Sequence, residues 1–132
     1  MKYYSTNKKA PTATLEEAVI KGLAPDRGLY MPEHIQKLPA SFFNQIEKLS
    51  FQEIAFEVSK AFFGGDIEIE ALRNIVYETL SFDVPAIHIK DNIYSLELFH
   101  GPTLAFKDIG ARFMARLLQH FIRREGQQQI NV

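Results

Sequence analysis

One stretch limits the folds open to this chain more than any other: Ser95-Leu-Glu-Leu-Phe-His100-Gly-Pro-Thr103-Leu-Ala-Phe106-Lys107-Asp108-Ile-Gly110. Its first half alternates as a strand does. Its second half leads into residues with helical spacing. His-Gly-Pro stands between them, so strand and helix meet at a sharp turn. The helix is expected from 103 or 107 to 124, with Phe106, Ile109, Phe113, Leu117 and Phe121 recurring every three or four residues. Lys107 therefore sits at a rigid strand-to-helix junction. From the residues alone, two readings of it stay open. A lysine at a helix start is ordinarily a solvated surface group. A lysine aimed into a partly dry cleft becomes a nucleophile and a base instead, because desolvation favours the neutral amine.

The period changes from helical to strand-like after Asp83-Val-Pro85. Two strands, 86–89 and 93–98, flank Lys90-Asp91-Asn92, which reads as a hairpin turn. Alternation assigns Tyr94, Leu96 and Leu98 to one face, expected to be buried, and Ile93, Ser95 and Glu97 to the other. His88 reads as a strand residue with a satisfied ring.

Upstream the pattern is helical. Thr14-Leu-Glu-Glu17 has the form of a capping box, Leu15, Ala18 and Val19 supply one apolar face, and Gly22 is the stop. A helical pattern resumes at Ser41 with Phe42, Phe43 and Ile46. Ser50 and Glu53 form a second capping box before the stripe Ile54, Ala55, Val58, Ala61, Phe62, which Gly64-Gly65 ends. Asp66 is expected to cap a third helix reaching about Leu80, with Ile69, Leu72, Ile75, Val76 and Leu80 inward. These stripes read as core. Between the first two helices lies Gly22-Leu-Ala-Pro25-Asp-Arg-Gly28-Leu-Tyr-Met-Pro32, with a turn at Asp26-Arg-Gly28 and a short extended piece at 29–31. Tyr3-Tyr4-Ser5 reads as a short strand.

Composition removes several functions. A net charge of −1 leaves no basic surplus for a nucleic-acid backbone. The chain has no cysteine, which excludes disulfides, thiolate zinc sites and cysteine nucleophiles. Its four histidines show no metal-ligand spacing. No apolar run reaches the roughly 18 residues of a membrane span, and Met1-Lys-Tyr-Tyr-Ser-Thr-Asn-Lys-Lys has no secretory apolar region. A cytoplasmic protein is expected. Gln127-Gln-Gln-Ile-Asn-Val132 stops as a new apolar segment starts, which reads as a cut in mid-fold.

Glu97-Leu-Phe-His-Gly-Pro-Thr-Leu-Ala-Phe-Lys-Asp108 closely resembles the cofactor-lysine motif of the threonine synthase family of bacteria and fungi. Residues 22–32 resemble that family's N-terminal signature, with Arg27 where a small residue such as glycine is expected, and Tyr3-Tyr4-Ser5-Thr6 fits as well. The resemblance implies a fold type II pyridoxal-phosphate enzyme that converts O-phospho-L-homoserine and water to L-threonine and phosphate. It implies that Lys107 is both the cofactor-binding and the catalytic residue, holding pyridoxal 5'-phosphate and then shuttling protons. Thr103 is read as a helix N-cap, His100 as shaping the turn, and Asp108 as favourable to the helix dipole. No Ser/Gly/Thr-rich phosphate loop occurs in the chain, so the chain alone is expected to be inactive. The alternatives are another fold type II enzyme of amino-acid metabolism and a non-catalytic helical interaction module.

The expected architecture is α/β: several helices on one small, mostly antiparallel sheet built from 3–6, 29–31, 86–90 and 93–99. Residues 1–99 would form an N-terminal domain. Residues 100–132 would start the cofactor-binding domain, with a first parallel strand at 130–132.

Overall fold

The computed structural model describes residues 1–125; the strand expected at 130–132 lies outside them. The order of elements is β1 (Tyr3–Ser5), α1 (Leu15–Lys21), β2 (Tyr30–Pro32), α2 (Ala40–Phe43), a 3-10 turn (Ile46–Lys48), α3 (Phe51–Phe63), α4 (Ile69–Thr79), β3 (Ala86–Lys90), β4 (Ile93–Leu96) and α5 (Asp108–Glu125). The mixed α/β class is the expected one.

Local chemistry sets most helix starts. Both capping boxes form as the sequence predicts: Thr14 accepts from Glu17 N while Glu17 accepts from Thr14 N, and Ser50 and Glu53 do the same at α3. Gly22 closes α1 at a φ of 69°, which a glycine adopts freely. The start of α4 differs from expectation. Its cap is Glu68, whose side chain accepts from Ala71 N. Asp66 is taken by a stronger partner, the Met1 ammonium at 2.9 Å.

The core forms where three helices meet. α1 contributes Leu15, Ala18 and Val19, and α4 contributes Leu72, Ile75 and Val76. α5 packs on both of them and adds Leu117 and Phe121. Each fully buried side chain of this size contributes roughly 1.5–3 kcal/mol. In α3 the buried residue is Phe56, outside the expected stripe, and Val58 is exposed. Ile54, Ala55, Val58 and Phe62 of that stripe instead wall an apolar groove with Val76, Leu80 and Phe113.

Among the described residues the strands form two separate antiparallel ribbons, not one sheet. β1 pairs with β2, Tyr3 opposite Pro32 and Ser5 opposite Tyr30. β3 pairs with β4 across a turn where Asp91 takes a φ of 50°. His88 is satisfied as expected, its ring Nε2 lying 2.8 Å from Asp91 O. The expected burial of Tyr94 and Leu96 fails: both are 61% exposed. Alternation decides which residues share a face, but no layer among the described residues covers this one. The second strand also stops at Leu96, short of Leu98.

Candidate functional site

The segment from Glu97 to Asp108 is a tied loop. Its carbonyl and carboxylate acceptors are used within a few residues of each other. Leu104 N donates to Gly101 O at 3.0 Å, and Asp108 N donates to Ala105 O at 3.0 Å. Thr103 N donates to Asp108 Oδ2 at 2.9 Å, and the Thr103 hydroxyl donates to Asp108 Oδ1. Gly101 is buried against the same carboxylate; a Cβ there would lie 2.7 Å from Asp108 Cβ. This closure drives Leu104 to a φ of 54°, a conformation uncommon for a residue with a side chain. Upstream, His100 Nε2 lies 2.6 Å from Glu97 Oε2, which braces the His-Gly-Pro turn.

Asp108 opens α5, as its charge suits the positive end of a helix. Its side chain is nonetheless spent on the loop rather than on the helix. The Thr103 hydroxyl, then the Thr103 and Ala105 amides and the Arg112 charge, hold its carboxyl below the ordinary 3.8 despite burial, which acts the other way. Thr103 is therefore not the N-cap expected from sequence. It is the donor for a carboxylate five residues on.

Lys107 stands directly before α5, its carbonyl accepting the helix's first bond from Ala111 N at 2.8 Å. Its side chain is exposed, and among the described residues no carboxylate pairs with its ammonium. Leu104 and Phe106 beside it are 77% and 74% exposed, so Phe106 is not part of the core stripe. One turn further along α5, Gly110 and Met114 border an apolar groove of about 390 Å³ with Leu29, Tyr30 and Met31 on its other side. Lys107 does not line that groove. A Cβ on Gly110 would meet nothing within 4 Å, so close packing is not what places a glycine there.

The far end of α5 fixes this geometry. Leu117 and Phe121 are buried, whereas Ile109 and Phe113 are only partly so. Arg112 Nη2 donates to Glu78 O at 2.7 Å and to Ser81 Oγ at 2.9 Å, and Arg124 pairs with Glu16 at 3.0 Å. The helix is held along its length, its first residue Asp108 is buried, and Lys107 just ahead of it is exposed.

Residues 22–32 repeat the same construction. Asp26 Oδ1 accepts from the Ser5 hydroxyl at 2.6 Å and from Gly28 N at 3.0 Å, while Oδ2 accepts from Lys9 N at 2.9 Å. Those bonds, the Ser5 hydroxyl foremost, hold its carboxyl below the ordinary 3.8. Arg27 takes a φ of 66°, which is the physical reason a small residue is expected at that position. Sequence reading missed both aspartates as ties. The available signals were Asp-x-Gly in a turn and Thr with Asp five residues later.

The donor set fits one end of a pyridoxal cofactor: a primary amine with no counter-ion among the described residues, on a fixed backbone. A phosphate cradle of backbone amides is not found among the described residues, nor is a cluster of three or more metal-ligating side chains. No described helix is long and apolar enough to cross a membrane.

The fold is that of the first segment of fold type II pyridoxal-phosphate enzymes. A sequence model of the threonine synthase N terminus matches residues 2–80, and the chain belongs to that family. It is 36% identical over 135 residues to a threonine synthase of Pseudomonas aeruginosa, covering 98% of this chain and 29% of that protein. It superposes on the PLP-bound threonine synthase of Brucella melitensis with a TM-score of 0.89 at 35% identity, over 96% of this chain and 28% of the other. The yeast threonine synthase structure gives 0.84 at 36% identity, over 98% and 28%. The chain thus spans under a third of the length of the relatives it matches.

Proposed function

We propose that this chain is the N-terminal part of a threonine synthase, cytoplasmic and dependent on pyridoxal 5'-phosphate, which acts on O-phospho-L-homoserine and water to give L-threonine and phosphate. The observation that carries the reading is the likeness to threonine synthases over almost the whole chain, with Lys107, which makes no ion pair among the described residues, directly ahead of α5 on a tied loop. Bound pyridoxal phosphate supplies the electron sink for charge developing on the substrate's carbons. Lys107 anchors that cofactor through its amine, and once released it moves protons at the α and β carbons. Phosphate leaves from the γ carbon and water adds at the β carbon.

The loop serves this chemistry by fixing the backbone from which Lys107 projects. Leu104 and Phe106, turned outward beside the amine, supply apolar surface that excludes water once covered. The catalytic, cofactor-binding domain is proposed to begin near residue 100, after an N-terminal domain of 1–99. The exposed apolar face of the β3–β4 ribbon supports a boundary there, since it lacks a cover among the described residues. α5 packs on α1 and α4, so it would be the element joining the two domains. The chain alone, without a phosphate cradle among its described residues, is proposed to be inactive.

The test is turnover by the whole protein offered O-phospho-L-homoserine, serine and threonine in parallel. Threonine and inorganic phosphate in equal amounts from the first substrate is the expected result. Turnover of serine or threonine with none of the phosphorylated substrate would remove this reading.

A further inference from the structure

Asp108 is 4% exposed, yet among the described residues its carboxylate makes no ion pair with the Lys107 ammonium. Both its oxygens go to Thr103, and its side chain fills the space that a side chain on residue 101 would occupy. A buried carboxylate bound only by a loop's own amide and hydroxyl donors sets the shape of that loop. Here the loop contains a leucine in the left-handed region and ends on Lys107. The same tie keeps the carboxylate adjacent in sequence away from the amine. A carboxylate beside it would hold the ammonium form and oppose its use as a nucleophile.

We propose that Asp108 is a positioning residue for Lys107: through Thr103 and Gly101 it holds residues 101–107 in the conformation that presents the amine, and it keeps its own charge off that amine. The proposal rests on Lys107 being the cofactor lysine, and its consequences divide accordingly. Asp108→Asn keeps the size of the side chain, loses the charge and turns one acceptor into a donor facing Thr103. Thr103→Val keeps the Asp108 charge and removes only the hydroxyl bond. Leu104 N has its own partner in Gly101 O and reports closure of the loop.

The test uses the whole protein in two states. Without cofactor, amide hydrogen exchange is followed residue by residue. Asp108→Asn is expected to speed exchange at Thr103 and Leu104 at least tenfold, and Thr103→Val severalfold, with the α4 and distal α5 amides unchanged. With pyridoxal phosphate, the rate of borohydride-trapped label on Lys107 is expected to fall about tenfold in Asp108→Asn. Glu53→Gln, which weakens the α3 cap, controls for general destabilisation and is expected to leave both readouts alone. Unchanged loop exchange and trapping in both loop variants would overturn the proposal, as would equal effects in Glu53→Gln. Label landing on a different lysine would overturn the functional reading instead, and the cofactor-free exchange result would still stand by itself.

Discussion

Asp108 grips Thr103 at two points, one carboxylate oxygen taking the amide at 2.9 Å and the other taking the hydroxyl. A five-residue excursion is thereby closed on itself immediately before an 18-residue helix. Gly101 is required by this closure. Gly101→Ala would drive a methyl group against the Asp108 side chain, at 2.7 Å from its Cβ. The expected cost is about 1–3 kcal/mol of stability, read by denaturant unfolding. Loosened exchange should be confined to the loop.

Arg27 holds a φ of 66° in the Asp26–Gly28 turn. A residue with a Cβ is strained there, and glycine is not. Arg27→Gly should therefore stabilise the protein by roughly 0.5–1 kcal/mol, less than the strain removed because glycine also frees the unfolded chain. A rise in the denaturation midpoint checks this. A fall would mean that the Arg27 side chain contributes more than its backbone costs.

The Met1 ammonium lies 2.9 Å from Asp66 Oδ2, and both groups are largely shielded. An N-terminal extension or acetylation removes that charge-assisted bond. The expected loss is about 1–2 kcal/mol. In an Asp66→Asn background the same extension should cost much less, so a double-mutant cycle isolates the pair.

The Tyr3 hydroxyl is buried without a partner among the described residues, and burial together with the Asp66 charge pushes it up to about 12 from 10.0. Because its folded value is raised, its contribution is present below pH 10 and is lost as pH climbs from 10 towards 12. Tyr3→Phe removes an unsatisfied polar atom. It should raise stability by up to about 1 kcal/mol at neutral pH and flatten the alkaline limb of a thermal-melting profile relative to the parent protein.

What the sequence disclosed was mainly local. Thr14 with Glu17 and Ser50 with Glu53 are reciprocal bonds three residues apart, so spacing alone finds them. The helical period of α5 from Ile109 onward is legible for the same reason, but Phe106 falls outside it and residues 97–107 form a loop between β4 and the helix where a sharp turn was expected. Burial of Tyr94 and Leu96 depends on what lies above the ribbon, and alternation carries no information about that. Asp66 was misread because its partner, the chain's own amino terminus, lies 65 residues away. Asp26 and Asp108 sit in turns where aspartate is common, and their roles emerge only when Ser5 and Thr103 are brought to them.

The most direct test is the identity of the lysine that takes the cofactor. The whole protein is incubated with pyridoxal phosphate, reduced with borohydride, digested and mapped. The label should fall on the peptide carrying Lys107 and vanish in Lys107→Ala. Label on any other lysine, or labelling undiminished in that variant, would contradict the assignment of this loop as the catalytic anchor.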